Sequence, residues 1–282
     1  MTRYVRLAGI DVPAIGQGTW HMGEGQYTRQ EEVEALQRGL DAGMKLIDTA
    51  EMYGTGAAEE VVGEAIRGRR DEAFLVSKVL PSNAGKSAAI AACEASLKRL
   101  GVERLDLYML HWRGGTRLEE TLSAFDQLER DGKIAAFGVS NFDVDDIEEL
   151  YTLSGGERCA ANQVLYHLGS REIEPWLQPL QRRNALPTMA YCPLAQGGRE
   201  HARLVKDPTV RAIADAYRIT PSQLLLAWAV RDDDVIAIPK AVSPGHVDEN
   251  AAALEIELES EALERLDDAF PLPEGSSGIK IV

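Results

Sequence analysis

Short apolar runs alternate with amphipathic stretches along almost the whole chain, and this alternation limits the fold more than any other feature of the sequence. The runs AIGQGTW, LID, FLVS, LDLYML, IAAFGVS, ANQVLY, LPTMAYC and VIAIP recur roughly every 25 to 31 residues, with one longer interval before the last. Most are followed by apolar residues spaced along one helical face, such as Val33, Leu36 and Leu40, or Ile90, Cys93, Leu97 and Leu100. The same spacing places Leu118, Leu122, Phe125 and Leu128 on one helix and Val144, Ile147 and Leu150 on another. Strands that alternate with helices need parallel crossovers, and eight such units in about 250 residues predict an α/β fold of the (β/α)8 TIM barrel type. An open, doubly wound sheet is the rival. No GxGxxG lies between a strand and a helix, and GTGAAE from Gly54 ends in Glu59, which suits a turn into a helix.

Local signals mark where the elements begin and end. YVRL and IDVPAI flank Ala8-Gly9 as an N-terminal β-hairpin outside the repeat. Thr28 with Glu31 makes a capping box, and Thr220-Pro221-Ser222-Gln223 combines an N-cap, a first-turn proline and a glutamine three residues on. Gly43 and Gly101 are suitable helix stops. Helices are expected near Ala57 to Arg67, Pro175 to Arg183 and His246 to Ala253, with an amphipathic one through Leu263 and Leu266. No Pro/Gly/Ser-rich linker of more than a few residues divides the chain, so residues 1–282 are expected to form one barrel domain.

A formal net charge of −15 opposes nonspecific binding to nucleic acid or an anionic membrane, so an anionic ligand must find a local basic site. The three cysteines, Cys93, Cys159 and Cys192, have neither CxxC nor metal-ligand spacing and suit reduced packing thiols. No metal site is visible. The N-terminus lacks a signal-peptide pattern and no apolar run reaches membrane-spanning length, so a soluble cytoplasmic protein is expected. A monomer is favoured, with an oligomer left open.

Barrel enzymes carry their chemistry at the C-terminal ends of the strands. Asp48, Lys78, His111, Ser140-Asn141, Gln163, Tyr191 and Lys240 each end a strand candidate. Singly they have ordinary explanations: a helix cap, a solvated strand end, a core histidine. Together they populate one rim. The loop after Asp48 also presents Tyr53, and a tyrosine with a pKa of roughly 10 needs a neighbouring cation to give up a proton near neutrality. Lys78, from the next strand, supplies one.

These residues resemble a known family. Asp48-Thr49-Ala50 through Tyr53-Gly54, Ser77-Lys78-Val79, Leu110-His111-Trp112, GVSNF from Gly138 to Phe142, NQV from Asn162 to Val164 and IPK ending at Lys240 are together similar to the aldo-keto reductases, in the same order. The resemblance runs from about Ile10 to Asn250 and implies a barrel that binds a nicotinamide cofactor without a Rossmann domain. It implies NAD(P)H-dependent, reversible reduction of aldehydes and ketones to alcohols. Tyr53 is then the general acid, Lys78 and Asp48 its modulators, and His111 the group that orients the carbonyl. A nearby ammonium would be expected to lower the tyrosine pKa toward working pH.

The resemblance further implies that Ser140, Asn141 and Gln163 hold the nicotinamide carboxamide and that Tyr191 stacks on its ring. Pro193, Leu194, Gln196 and Gly197 would lie at the pyrophosphate, Lys240 and His246 at the adenosine 2′-phosphate, and Glu249 and Asn250 at the adenine. Two departures matter. Ala241 and His246 stand where many NADP-preferring relatives have a hydroxyl residue and an arginine, so NADPH is expected while NADH stays possible. The tail beyond Phe270 is 12 residues long. Trp20, Trp112 and Tyr53 are therefore expected to form much of an open pocket for small reactive aldehydes, aromatic aldehydes and α-dicarbonyls. The alternative is a cofactor-binding regulatory subunit of the same fold with little turnover.

Overall fold

The apolar runs, too short for buried helices, pair side by side into one sheet in a computed structural model that describes residues 2–275 and 278–281. Strands β1 (Tyr4–Leu7) and β2 (Ile10–Pro13) form the antiparallel hairpin, with Leu7 opposite Ile10. Ala8 and Gly9 both have positive φ, 48° and 79°, as the tightest hairpin turns require. The remaining strands are β3 (Gln17–Gly18), β4 (Leu46–Asp48), β5 (Phe74–Val79), β6 (Leu105–Leu110), β7 (Ile134–Ser140), β8 (Asn162–Leu165), β9 (Thr188–Tyr191) and β10 (Val235–Ala237). They lie parallel and in chain order in an eight-stranded sheet.

The sheet closes on itself. Ile15 bridges Ala237 in parallel, Gly16 N–H donates to Ala237 O (2.8 Å), and Gly18 N–H donates to Pro239 O (3.0 Å). A Cβ on Gly18 would stand 2.7 Å from Ile238 O, so only glycine lets this seam approach. The hairpin lies outside the barrel sheet.

Helices α1 (Arg29–Asp41), α2 (Ala57–Ala65), α3 (Lys86–Leu100), α4 (Leu118–Arg130), α5 (Val144–Thr152) and α6 (Leu177–Arg183) connect successive strands from β3 to β9. The long interval before β10 holds α7 (Gly198–Lys206), α8 (Pro208–Tyr217) and α9 (Pro221–Ala229), and α10 (Pro244–Ala252) and α11 (Ser260–Ala269) follow it. Both expected capping boxes are present, at Thr28 with Glu31 and at Thr220 with Gln223. Gly101 caps α3 in the left-handed conformation, whereas α1 is capped by Ala42 with Gly43 beyond it.

Boundaries moved slightly elsewhere. The second helix stops at Ala65 and α6 starts at Leu177, within the one or two residues by which helix ends fray. Every residue of β5 and β6 is buried, as befits parallel strands covered on both faces. Cys93 and Cys159 are packing thiols, but Cys192 is only half-buried. Beyond α11 the tail folds back: Ile279 packs against the core and Lys280 pairs with Glu172. Among the described residues no helix is long and apolar enough to cross a membrane.

Candidate active site

Side chains alternate across a strand, and this separates the neighbours Ser77 and Lys78 on β5. Ser77 bonds to a helix outside, while Lys78 bonds to the strands and loops at the barrel mouth. The Lys78 ammonium donates to Asp48 Oδ2 (2.7 Å), Thr49 O (3.0 Å) and the Tyr53 hydroxyl (3.2 Å), which uses all three of its protons. Its side chain is 0% exposed and that of Asp48 2%, so this is a buried ion pair. The second oxygen, Asp48 Oδ1, accepts from Gln163 Nε2 across the barrel at 2.8 Å, and Thr19 Oγ1 donates to Asp48 O at 3.0 Å. Burial lowers the Lys78 pKa, and the Asp48 carboxylate opposes that fall.

Tyr53 opens a 3₁₀ turn, Tyr53–Gly56, that leads directly into α2, as expected for GTGAAE. The expected fall of its pKa is not found. Burial, with the negative charge of Asp48 and the nearby Cys192 adding to it, holds the phenol well above its ordinary value. Burial is the larger cause: removal from water disfavours the charged tyrosinate, and the nearby Asp48 carboxylate disfavours it further. Tyr53 therefore holds its proton in this site, and its hydroxyl oxygen accepts a hydrogen bond from the Lys78 ammonium.

His111, just past β6, sits edge-on to the Tyr53 ring with centroids 5.7 Å apart and beside Trp112 at 4.9 Å. Burial, reinforced by Lys78, pushes its pKa down to about 3, so it is a neutral imidazole at working pH. Its Nδ1 is buried and has no hydrogen-bond partner among the described residues.

Strands β7 to β9 and the residue after β7 carry a second polar set, with Gln163 near the start of β8 and not at its end. Ser140 Oγ donates to Gln163 O (2.9 Å), Asn141 Nδ2 donates to His111 O (3.1 Å), and the Tyr191 hydroxyl donates to Asn141 Oδ1 (2.9 Å). Asn141 adopts φ 57°, a left-handed conformation that asparagine tolerates better than most residues. Gly197 has φ 87°, and among the described residues beyond its two chain neighbours no atom lies within 4 Å of where its Cβ would stand, so its backbone is open to a ligand. Farther on, the Lys240 ammonium lies 5.0 Å from the centre of the Tyr27 ring. Burial lowers its pKa against the pull of Glu32 and Glu24.

One cavity of about 750 Å³ connects these parts. Its lining runs from Trp20, Asp48, Tyr53, His111 and Trp112 past Ser140, Asn141, Gln163 and Tyr191 to Pro193, Leu194, Gln196 and Gly197. It ends at Lys240, His246, Glu249 and Asn250. Every site residue expected from the sequence lines it except Lys78, which lies beneath the surface and is hydrogen-bonded to Tyr53 and Asp48.

The cavity also takes in His21, Met52, Cys192, His201, Ser222 and Ile281, which the sequence did not single out as site residues. Cys192 and His21 adjoin the marked residues Tyr191 and Trp20, and adjacency was the available signal. Ile281 had none. The tail's return adds Ile281, itself an exposed residue, to the cavity wall.

Comparison with known proteins shows the family. The Aldo/keto reductase family model matches residues 14–270. The methylglyoxal reductase YeaE of Escherichia coli (strain K12) is 53% identical over 281 residues, covering 99% of either chain. The glyoxal reductase of Bacillus subtilis (strain 168) is 33% identical over 263 residues, or 92% of this chain and 89% of that one. A crystal structure of an aldo-keto reductase from Klebsiella pneumoniae in complex with NADPH is 52% identical, covers 100% of both chains and gives a TM-score of 0.97.

Proposed function

The chain belongs to the aldo/keto reductase family, and from that premise we propose that Tyr53, His111, Lys78 and Asp48 reduce a small carbonyl compound at the barrel mouth. The protein is an NADPH-dependent oxidoreductase that converts aldehydes and ketones to alcohols. One observation carries the assignment of roles: the Tyr53 hydroxyl, bonded by a buried ammonium at 3.2 Å, lines the same cavity as His111 and, at its far end, Lys240.

The cofactor fits this cavity by the chemistry of its donors. Ser140, Asn141 and Gln163 offer hydroxyl and amide groups for a carboxamide, and Tyr191 offers a ring face. The open backbone at Gly197 suits the close approach of a pyrophosphate, with Pro193, Leu194 and Gln196 alongside. Lys240 and His246 suit a phosphate monoester, and Glu249 and Asn250 a purine. When bound, NADPH supplies the hydride that reduces the carbonyl carbon.

The chain's own groups manage the oxygen. Tyr53 donates its hydroxyl proton to the carbonyl oxygen as negative charge grows there, and Lys78 stabilises the tyrosinate left behind. Asp48 makes the buried ammonium tolerable, while Gln163 and Thr49 O fix the pair in place. His111, neutral, donates a ring N–H that orients the oxygen without adding a cation beside Lys78. Trp20, Trp112, Met52 and Ile281 form an apolar wall that gives little directional discrimination, which favours small reactive aldehydes, aromatic aldehydes and α-dicarbonyls. The relatives named as methylglyoxal and glyoxal reductases support that class.

The test is Tyr53→Phe, assayed by NADPH oxidation with methylglyoxal and with an aromatic aldehyde, and by NADPH binding through fluorescence. Turnover should fall on the order of 10²-fold or more as the proton donor is lost, with cofactor affinity retained. Near-normal turnover would overturn the assignment. A wild-type protein that binds NADPH yet oxidises it negligibly with either substrate would restore the regulatory reading.

A further inference from the structure

The turn that carries Tyr53 is conformationally expensive. Gly54, Thr55 and Gly56 follow one another in the left-handed region at φ 55°, 55° and 92°. Glycines adopt such angles freely, but a β-branched threonine rarely does, so something outside the turn must hold it. The structure provides a brace immediately downstream.

Glu59, in the first turn of α2, is 0% exposed, and both its oxygens are engaged. Oε1 accepts from Ser77 Oγ on β5 and Oε2 from Arg99 Nε on α3, each at 2.6 Å. Arg99 is itself steadied by Ser96 Oγ at 3.2 Å. The arginine stem runs tightly under the turn: a Cβ on Gly56 would stand 2.6 Å from Arg99 Cδ and Nε. Gly56 thus supplies both the left-handed φ and the space for the brace.

These contacts form a closed circuit. The chain runs from Tyr53 to Glu59, a hydrogen bond crosses to Ser77, one peptide leads to Lys78, and Lys78 Nζ returns to the Tyr53 hydroxyl. A buried carboxylate needs compensation that an apolar residue of similar size would not. Its value here lies in where it joins the chain, between the proton donor's turn and the strand of the donor's cation.

We propose that Glu59, clamped by Ser77 and Arg99, is a positioning residue that fixes the Tyr53 turn against β5 and so sets the separation of the Tyr53 hydroxyl from Lys78. The proposal rests on Tyr53 being the proton donor. Glu59 touches no substrate, and its effect is wholly on geometry.

The experiment compares Glu59→Gln, Ser77→Ala, Tyr53→Phe and the double variant Tyr53→Phe/Glu59→Gln. Steady-state reduction of methylglyoxal, NADPH dissociation constants and folded fraction by circular dichroism are measured for each. Misplacing the donor by a fraction of an ångström should lower kcat of Glu59→Gln by about 10- to 100-fold, with KM and NADPH affinity unchanged. Ser77→Ala should behave alike, and it carries the test if Glu59→Gln does not fold. With Tyr53 already phenylalanine, Glu59→Gln should cost nothing further, because no donor remains to be placed. The proposal is overturned if both single variants turn over like wild type or lose activity only in proportion to unfolded protein, or if Glu59→Gln reduces Tyr53→Phe activity further. If Tyr53→Phe itself retains turnover, it is the assignment of the donor that fails.

Discussion

Replacing Lys78 with methionine separates the two duties of that side chain. Methionine keeps an unbranched apolar stem of similar length, so packing is largely preserved while the ammonium disappears. Three hydrogen bonds go with it, to Asp48 Oδ2, Thr49 O and the Tyr53 hydroxyl. Asp48, 2% exposed, is left with one side-chain donor, Gln163 Nε2 at 2.8 Å. Removing one partner of a buried pair costs about 3–5 kcal/mol, because the other charge stays uncompensated. Asp48→Asn should cost a similar amount by stranding the ammonium.

The double variant Lys78→Met/Asp48→Asn removes both charges and should be no less stable than either single variant. Independent effects would instead sum to roughly 6–10 kcal/mol. Urea unfolding of the four proteins without cofactor, at pH 7 and fixed ionic strength, measures this directly. Turnover should stay low in all three variants, since rescuing stability does not restore a cation beside Tyr53. A Lys78→Met cost below about 1 kcal/mol, the scale of exposed ion pairs, would refute the buried-pair argument. So would a double variant that loses the sum of the singles.

Two further outcomes follow from the site. His111 has a folded pKa of about 3 against roughly 6.5 unfolded, so between those values the unfolded chain binds more protons and stability falls as pH falls through that window. His111→Asn should flatten the pH dependence of unfolding between about pH 4 and 6.5 by an amount on the order of a few kcal/mol, while the two proteins keep parallel curves above neutrality. An unchanged slope would mean that His111 is not held neutral by burial. His246→Arg should tighten NADPH binding more than NADH binding, since a guanidinium engages phosphate through two hydrogen bonds and NADH lacks the 2′-phosphate. Equal affinities in the two proteins would leave Lys240 alone at that contact.

Much of this protein is legible in one dimension because its signals are local. Apolar runs bounded by helical periodicity report which faces are buried, and eight of them in parallel order leave few topologies besides a closed barrel. The capping boxes at Thr28 and Thr220 are satisfied within four residues, so they too could be read directly. The equivalent box at Asp143 with Asp146 could have been read in the same way. Residues at the strand ends converge because barrel geometry sends every strand's C-terminal end to one rim.

Tertiary structure decided what depends on distance across the barrel and on the sum of an environment. Gln163 bonds to Asp48 from 115 residues away, and Ile281 reaches the cavity wall from the far end of the chain. The brace from Glu59 to Ser77 and Arg99 joins three elements that no sequence spacing connects. The acidity of Tyr53 shows the difference most clearly: the sequence supplied a nearby lysine and hence an expected lowered pKa, but burial, with the negative charge of Asp48 adding to it, raises it. A sequence displays which charges are present. Whether a charge acts on its neighbour depends on desolvation and pairing, which exist only once the chain has folded around it.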